Sequence, residues 1–382
     1  MNSRIYFDNA ATTQIDPEVA DYMCELIREN YGNPSSIHYF GRQARSVIEQ
    51  TRKKIASIFN CSPGEILFTG GGTEADNMII KGAVKDLGVR RIISSELEHH
   101  AVLHSLDDCK DLNDVQVEMV SIDDRGYVDM NHLEELLQVS DTKTMVCLMH
   151  GNNEIGNMID LKGVGDLCKM HGAYFHSDTV QTMGHYKMDF SELSIDFATC
   201  SAHKFHGPKG VGFAYINGDL NISPLIVGGS QERNQRAGTE NLYGIAALGK
   251  ALEIAYAHLE DHARHIKELK YRMMDKLIAH LPGVSFNGDP KGSSLYTVLS
   301  VNFPSSEMDE MLLYNFDIEG IAVSGGSACS SGSNVGSHVL NALGKDISGP
   351  AIRFSFGRFN TIEEVDYCVK VIGELFQIPV ES

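Results

Sequence analysis

Ile66-Leu67-Phe68-Thr69-Gly70-Gly71-Gly72-Thr73-Glu74-Ala75-Asp76-Asn77 is the stretch whose reading decides the fold. Its first four residues suit a strand and its three glycines a tight turn. Residues 73–87 read as a helix, with Thr73 and Asp76 as the capping pair. A strand that passes through glycines directly into a helix is the first half of a βα unit, and the pattern repeats downstream. Strands are expected at 91–95, 115–122, 144–149, 173–176, 197–201 and 211–216, with helices at 101–109, 130–139 and 161–171. The strands are almost continuously apolar instead of alternating, so both of their faces must be covered. The expectation is an α/β chain with a mostly parallel central sheet and helices on both faces.

Outward from this block the texture changes. Upstream, residues 16–30 form a helix signal, with Asp16 as N-cap and Pro17 at the first helical position. Downstream, 241–281 reads as one long helical stretch ended by Pro282-Gly283. Strands at 294–303, 321–323 and 352–355, a helix capped by Ser306 and Asp309, and a last helix from Thr361, with Glu364 closing a capping box, suggest a smaller α+β domain. The expected division is a large domain over 15–255 and a small one made of 1–14 and 256–382.

Composition narrows the function. The chain has 382 residues, 42% of them hydrophobic, and a formal charge of −19. That acidity argues against broad nucleic-acid or anionic-membrane binding. No apolar run reaches the ~20 residues of a membrane helix, and the first residues do not read as a signal peptide, so a soluble, cytoplasmic protein is expected. Eight cysteines are present. None is spaced as C-x-x-C or as a zinc site, so no metal is expected. Seven read as reduced, buried core residues. Cys329, inside Val323-Ser324-Gly325-Gly326-Ser327-Ala328-Cys329-Ser330-Ser331-Gly332-Ser333, is set among polar residues instead.

Three segments carry chemistry together. In Cys200-Ser201-Ala202-His203-Lys204-Phe205-His206-Gly207 a lysine follows a strand end among small and hydroxyl residues, where a desolvated amine can act as nucleophile. Alone it would be an ordinary loop lysine. Gly70-Gly71-Gly72-Thr73 leads into a helix N-terminus, a natural phosphate cradle, but matches neither nucleotide fingerprint. His176-Ser177-Asp178-Thr179-Val180-Gln181 places a carboxylate at another strand end. A Schiff-base lysine, a phosphate cradle and an anion for a pyridine nitrogen are what pyridoxal 5'-phosphate requires.

With these in place the chain resembles the cysteine desulfurases, in the class V aminotransferase branch of the fold-type I pyridoxal-phosphate-dependent transferases. The matching stretches run almost end to end: 6–13, Gly32-Asn33-Pro34-Ser35-Ser36-Ile37-His38, 68–77, Glu98-His99, His150-Gly151-Asn152-Asn153-Glu154-Ile155-Gly156, the Asp178 and Lys204 segments, 236–241, Ser327-Ala328-Cys329 and 353–358. The resemblance implies Lys204 as the cofactor-carrying lysine and proton carrier, Asp178 as partner of the ring nitrogen, and Gln181 as donor to the ring hydroxyl. His99 would stack on the ring and assist proton transfer. Gly72, Thr73, Ser201 and His203 would hold the phosphate, joined by Thr239 from the second subunit of a homodimer. Asn153 and Arg353 would hold the carboxylate of L-cysteine. Cys329 would take the sulfur as a persulfide and pass it to a protein acceptor such as an iron–sulfur scaffold, with L-alanine released.

Several positions depart from the family pattern: His100 in place of a common lysine, Gly326 and Ser330 around the nucleophile, a shortened 343–350 and a short stretch after the last helix. They bear on the acceptor more than on the chemistry. The competing readings are a selenocysteine lyase, an aminotransferase that does not use the thiol, and a catalytically silent binding module.

Overall fold

Apolar runs of four or five residues set between helices build a seven-stranded sheet in the computed structural model, which describes residues 4–113, 115–139, 142–325, 336–344 and 349–378. The chain opens with β1 (Ile5–Tyr6), α1 (Pro17–Glu29) and α2 (Tyr39–Ile58). The block that follows is β2 (Ile66–Thr69), α3 (Gly72–Asp86), β3 (Arg91–Ser94), α4 (His100–Asn113), β4 (Gln116–Met119), α5 (Met130–Gln138), β5 (Thr144–Cys147), α6 (Leu161–Met170), β6 (Tyr174–Asp178), β7 (Phe197–Ser201) and β8 (Gly212–Ile216). The remainder is α7 (Leu242–Ala257), α8 (Leu259–His280), β9 (Ser285–Phe286), β10 (Val298–Asn302), α9 (Leu312–Ile318), β11 (Ile321–Ala322), β12 (Ser324–Gly325), α10 (His338–Ala342), β13 (Ala351–Ser355) and α11 (Ile362–Leu375).

The large sheet has the order β2-β8-β7-β6-β5-β3-β4, with β8 antiparallel to both neighbours and the other pairings parallel. Neighbouring residues along each strand enter opposite cores. Leu67, Ile92, Met145, Cys147 and Ala214 pack with α3 and α4. Phe68, Ile93, Val146 and Phe213 pack with α1, α2, α5, α6 and α7. Each face is therefore dry, as the unbroken apolar strands required. A second sheet, β12-β13-β10-β9, packs with α8 and α11 around Phe303, Phe316, Phe354 and Phe356, and Phe7 joins this core from the N-terminal segment. Every buried phenylalanine contributes roughly 1.5–3 kcal/mol.

Several expectations change. The pair Ser306 and Asp309 does not cap a helix; Asp309–Met311 is a 3-10 turn, and α9 starts at Leu312 without a side-chain cap. Thr73 does not cap α3; that place is taken by Gly71 at φ +146°, a conformation open to glycine, and the helix begins at Gly72. The stretch 241–281 is two helices that part at His258, with no glycine or proline marking the break. The strand expected over 294–303 is confined to Val298–Asn302, because Leu295 turns its N–H to Gly156 O instead. Helix α2 was not anticipated, although Ala44, Ile48, Thr51 and Ile55 are buried at helical spacing behind a His38 cap. Cys24 is exposed and Cys61 half-buried, so the buried-core reading holds for Cys109, Cys147, Cys168, Cys200 and Cys368 only.

Candidate functional site

The strand ends converge. β6 and β7 are neighbours in register, Asp178 opposite Thr199, so Asp178 and the turn Ala202–Lys204 that follows β7 emerge side by side. The β2–α3 glycine turn arrives on the other flank, because β8 bridges β2 to β7. Between them opens a cavity of about 870 Å³. Gly72, Thr73, His99, Asn153, Asp178, Gln181, Ser201, His203, Lys204 and Arg353 all line it. These residues are scattered over 282 positions of sequence, and the fold brings them together. Thr239 is exposed and outside the cavity of its own chain, and Cys329 lies outside the described residues.

Backbone carbonyls of the N-terminal segment hold the lysine. Lys204 Nζ donates to Ala10 O at 2.5 Å and Ala11 O at 2.9 Å, and Gln181 Nε2 donates to the same Ala10 O at 3.0 Å. Arg353, on β13, donates through Nη1 to Asn153 O and through Nη2 to Asp8 Oδ1, each at 2.9 Å. Its Nε is buried without a hydrogen-bond partner among the described residues. Asp8 Oδ1 also accepts from Ser324 Oγ at 2.7 Å. His99 Nδ1 accepts from Ala101 N at 3.1 Å, which places the imidazole hydrogen on Nε2. Burial lowers the affinity of that ring for a second proton, although nearby Asp178 works the other way. His203 is pushed down to about 4 by burial and the neighbouring lysines.

Asp178 is 5% exposed, and burial, reinforced by Asp76, pushes its carboxyl up to about 6. Both hydrogen bonds it accepts among the described residues, from Val180 N and Thr199 Oγ1, fall on Oδ1. Sequence reading had missed Asp8, the Ala10 and Ala11 carbonyls, and Asp76, which also lines the cavity. The first three lie in the quoted 6–13 stretch, to which no roles were assigned.

Among the described residues there is no group of three or more His, Cys, Asp or Glu side chains able to hold a metal, and no helix long and apolar enough to cross a membrane.

The aminotransferase class-V family model matches residues 5–368, nearly the entire chain. The chain belongs to the class-V aminotransferase family. Among curated class-V relatives, "Cysteine desulfurase IscS" of Dictyoglomus turgidum is 40% identical, the alignment covering 99% of this chain and 95% of the relative. "Putative cysteine desulfurase IscS 1" of Bacillus subtilis is 42% identical over 97% and 98%. A solved structure described as a NifS-like protein superposes with a TM-score of 0.90 at 38% identity, covering 98% of this chain and 99% of that one. With this superposition, the chain's own seven-stranded mixed sheet and smaller antiparallel sheet bear out the expected fold class.

Class-V enzymes work with pyridoxal 5'-phosphate, and the residues of this cavity fit it. A buried carboxyl that has no cation among its hydrogen-bond partners suits a protonated ring nitrogen. The glycine turn has no room to spare, since a Cβ on Gly72 would lie 2.6 Å from Val180 Cγ2. Beyond it the first N–H groups of α3 have no intrahelical acceptor and suit a phosphate, with Ser201 and His203 on the same wall.

Proposed function

We propose that this chain is a cysteine desulfurase that converts L-cysteine to L-alanine and leaves the sulfur as a persulfide on Cys329. The observation that carries the reading is the single cavity in which Lys204, Asp178, His99 and Arg353 meet, in a chain about 40% identical to full-length cysteine desulfurases. Bound pyridoxal phosphate supplies an electron sink next to the substrate α-carbon.

The chain's own residues do the rest. Arg353, aimed by its bonds to Asn153 O and Asp8, meets the substrate carboxylate at the cavity wall, and that pairing orients the α-carbon. Lys204, steadied by the Ala10 and Ala11 carbonyls, takes the α-proton and returns it. His99 carries a hydrogen on Nε2 at the cavity wall, placed to move a proton to or from the substrate thiol. Cys329 attacks the substrate sulfur as thiolate, so part of its ~8.5 reference pKa has to be offset. The C–S bond breaks with its electron pair left on carbon, which is protonated to alanine, and the S–S bond forms. Cysteine plus enzyme thiol thus gives alanine plus enzyme persulfide, with atoms and electrons in balance.

The working form is a homodimer in which Thr239 reaches the partner's phosphate site. Support comes from its exposure and from the apolar surface on the same segment, where Val227 is 80% exposed and Leu225 and Ile226 are each 41% exposed. The persulfide goes to a protein acceptor of the iron–sulfur scaffold type. The seven described cysteines are all unpaired, which suits a reducing cytoplasm.

The test is alanine formed from L-cysteine by the purified protein with added cofactor, against Lys204→Ala. Stoichiometric alanine and sulfide with reductant, abolished in Lys204→Ala, supports the proposal. A keto acid product in place of alanine would mark an aminotransferase.

A further inference from the structure

A second cavity, of about 270 Å³, shares one wall residue, Met149, with the first. Its lining is largely apolar, from Leu97, Val128, Leu148, Met149, Met158 and Ile159. Met130, Asp160 and Ser293 also line it and are exposed, so it opens to solvent on their side.

The polar side chains buried in this wall are paired within the protein, with one exception. Asn152 donates to Leu97 O at 2.8 Å and accepts from Glu154 N and Ile155 N. Asn157 donates to Arg125 O at 2.8 Å and accepts from Asp289 N. Ser95 donates to Glu98 Oε1 at 3.1 Å and accepts from Leu97 N. The exception is Glu98, which is 1% exposed and lines this cavity but not the first. Its Oε1 accepts a second hydrogen bond, from Met149 N at 2.9 Å, whereas its Oε2 is buried with no hydrogen-bond partner among the described residues. A donor brought to that oxygen would relieve a costly unmade bond. Among the described residues the lining holds two carboxyls, Glu98 and Asp160, and no Lys, Arg or His.

We infer that this cavity is a second binding site, for a small organic cation: an amidine or amine whose charged head pairs with Glu98 Oε2 and whose apolar body fills the rest of the space.

Size and protonation agree with that class. An apolar cavity of roughly 150 Å³ admits benzene, so this one has room for a ring and its head group. Burial holds the Glu98 carboxyl well above the usual carboxylate range, and Asp178 and Asp76 add to the effect, while the Met149 N–H and the Ser95 hydroxyl oppose it. The other titratable groups around it are Tyr127 and Asp160 in the wall, Cys147 on β5, His99 next to it in the chain, and His338, whose Nε2 lies 2.9 Å from Glu98 O. A cation at Oε2 favours the ionised acid. Glu98 therefore gives its proton to solvent as the cation enters, and the pair that forms is neutral overall.

Benzamidine is the probe, because its planar amidinium matches a carboxylate and, unlike an alkylamine, it does not readily condense with an aldehyde cofactor. Its binding to the full chain is measured by calorimetry in two buffers of different ionisation heat, and a crystal structure of the complex locates it. The expected result is one benzamidine in the second cavity, with a proton released to the buffer. Benzyl alcohol, which keeps the ring and lacks the charge, should bind at least tenfold more weakly. Glu98→Gln should weaken benzamidine roughly 10- to 100-fold, one hydrogen bond between charged groups. Val128→Phe, which fills the cavity without altering its charge, should abolish binding. Equal affinity for benzamidine and benzyl alcohol would overturn the inference, as would benzamidine seated in the first cavity or ordered water alone in the second. Unchanged binding in Glu98→Gln or in Val128→Phe would overturn it as well. Should Glu98→Gln fail to fold, Val128→Phe and the alcohol comparison decide.

Discussion

Replacing Asp178 by Asn should make the cofactor-free protein more stable, and only above a defined pH. The carboxyl is held at about 6, against 3.8 for an ordinary Asp, first by burial and then by Asp76, with His99, the Val180 N–H and His176 pulling the other way. An acid whose pKa is raised by folding binds its proton more tightly in the native state. Its contribution to stability is complete below the unfolded value of about 4 and is lost as the pH rises through about 6. About two units at ~1.4 kcal/mol each put the neutral-pH penalty at up to about 3 kcal/mol. Urea unfolding of cofactor-stripped parent and Asp178→Asn should therefore coincide near pH 4 and separate by up to about 3 kcal/mol, the variant ahead, by about pH 7. Adding pyridoxal phosphate should reverse the order, because only the carboxylate gains a ring cation. A difference independent of pH, or a stripped parent more stable than the variant at neutral pH, would refute the picture of Asp178 as a strained anion awaiting its partner.

Arg353→Lys removes the planar fork and should raise KM for cysteine about 10- to 100-fold while kcat falls much less, since the carboxylate is bound alike before and during the reaction. Equal loss in both would instead place Arg353 in the chemical step. Thr239→Ala should weaken cofactor retention by ~1.5–3 kcal/mol at most, with the dimer intact in sedimentation; a monomeric parent with full cofactor occupancy would contradict the cross-subunit contact. Gly212→Ala should cost ~1–3 kcal/mol or more in unfolding experiments, because its Cβ would fall 2.1 Å from Cys200 O and 2.9 Å from Gly71 Cα, between two strands and under the glycine turn. A neutral effect would mean that the β7–β8 pairing is looser there than its register indicates.

What could be read from the sequence was whatever is fixed locally. Asp178, Lys204 and the Gly70–Gly72 turn are each placed by the strand before them, so apolar runs and glycines suffice to put all three at one end of a sheet. The Thr361 and Asp16 caps were likewise legible from a few residues, and both are found as read. The Thr73 cap failed on local grounds too, because three glycines can begin the helix one residue earlier than a hydroxyl would. The contacts that hold the site are another matter. Asp8 meets Arg353 across 345 positions and Lys204 meets Ala10 across 194, and no periodicity announces such pairs. Asp76 looked like a capping residue because the sequence cannot show that β6 will bring His176 to 3.2 Å from it.

The most direct measurement is the mass of the peptide carrying Cys329 after a single turnover with L-cysteine, in the parent and in Cys329→Ser. Sulfur transfer to this thiol predicts a gain of one sulfur atom on the parent peptide, removable by reductant, with one alanine formed per persulfide. The serine variant should still exchange the α-hydrogen of cysteine with solvent, since that step belongs to Lys204, yet gain no sulfur and release almost no alanine. Alanine formed by Cys329→Ser at close to the parent rate would contradict it and mean that the sulfur passes to an acceptor other than this thiol.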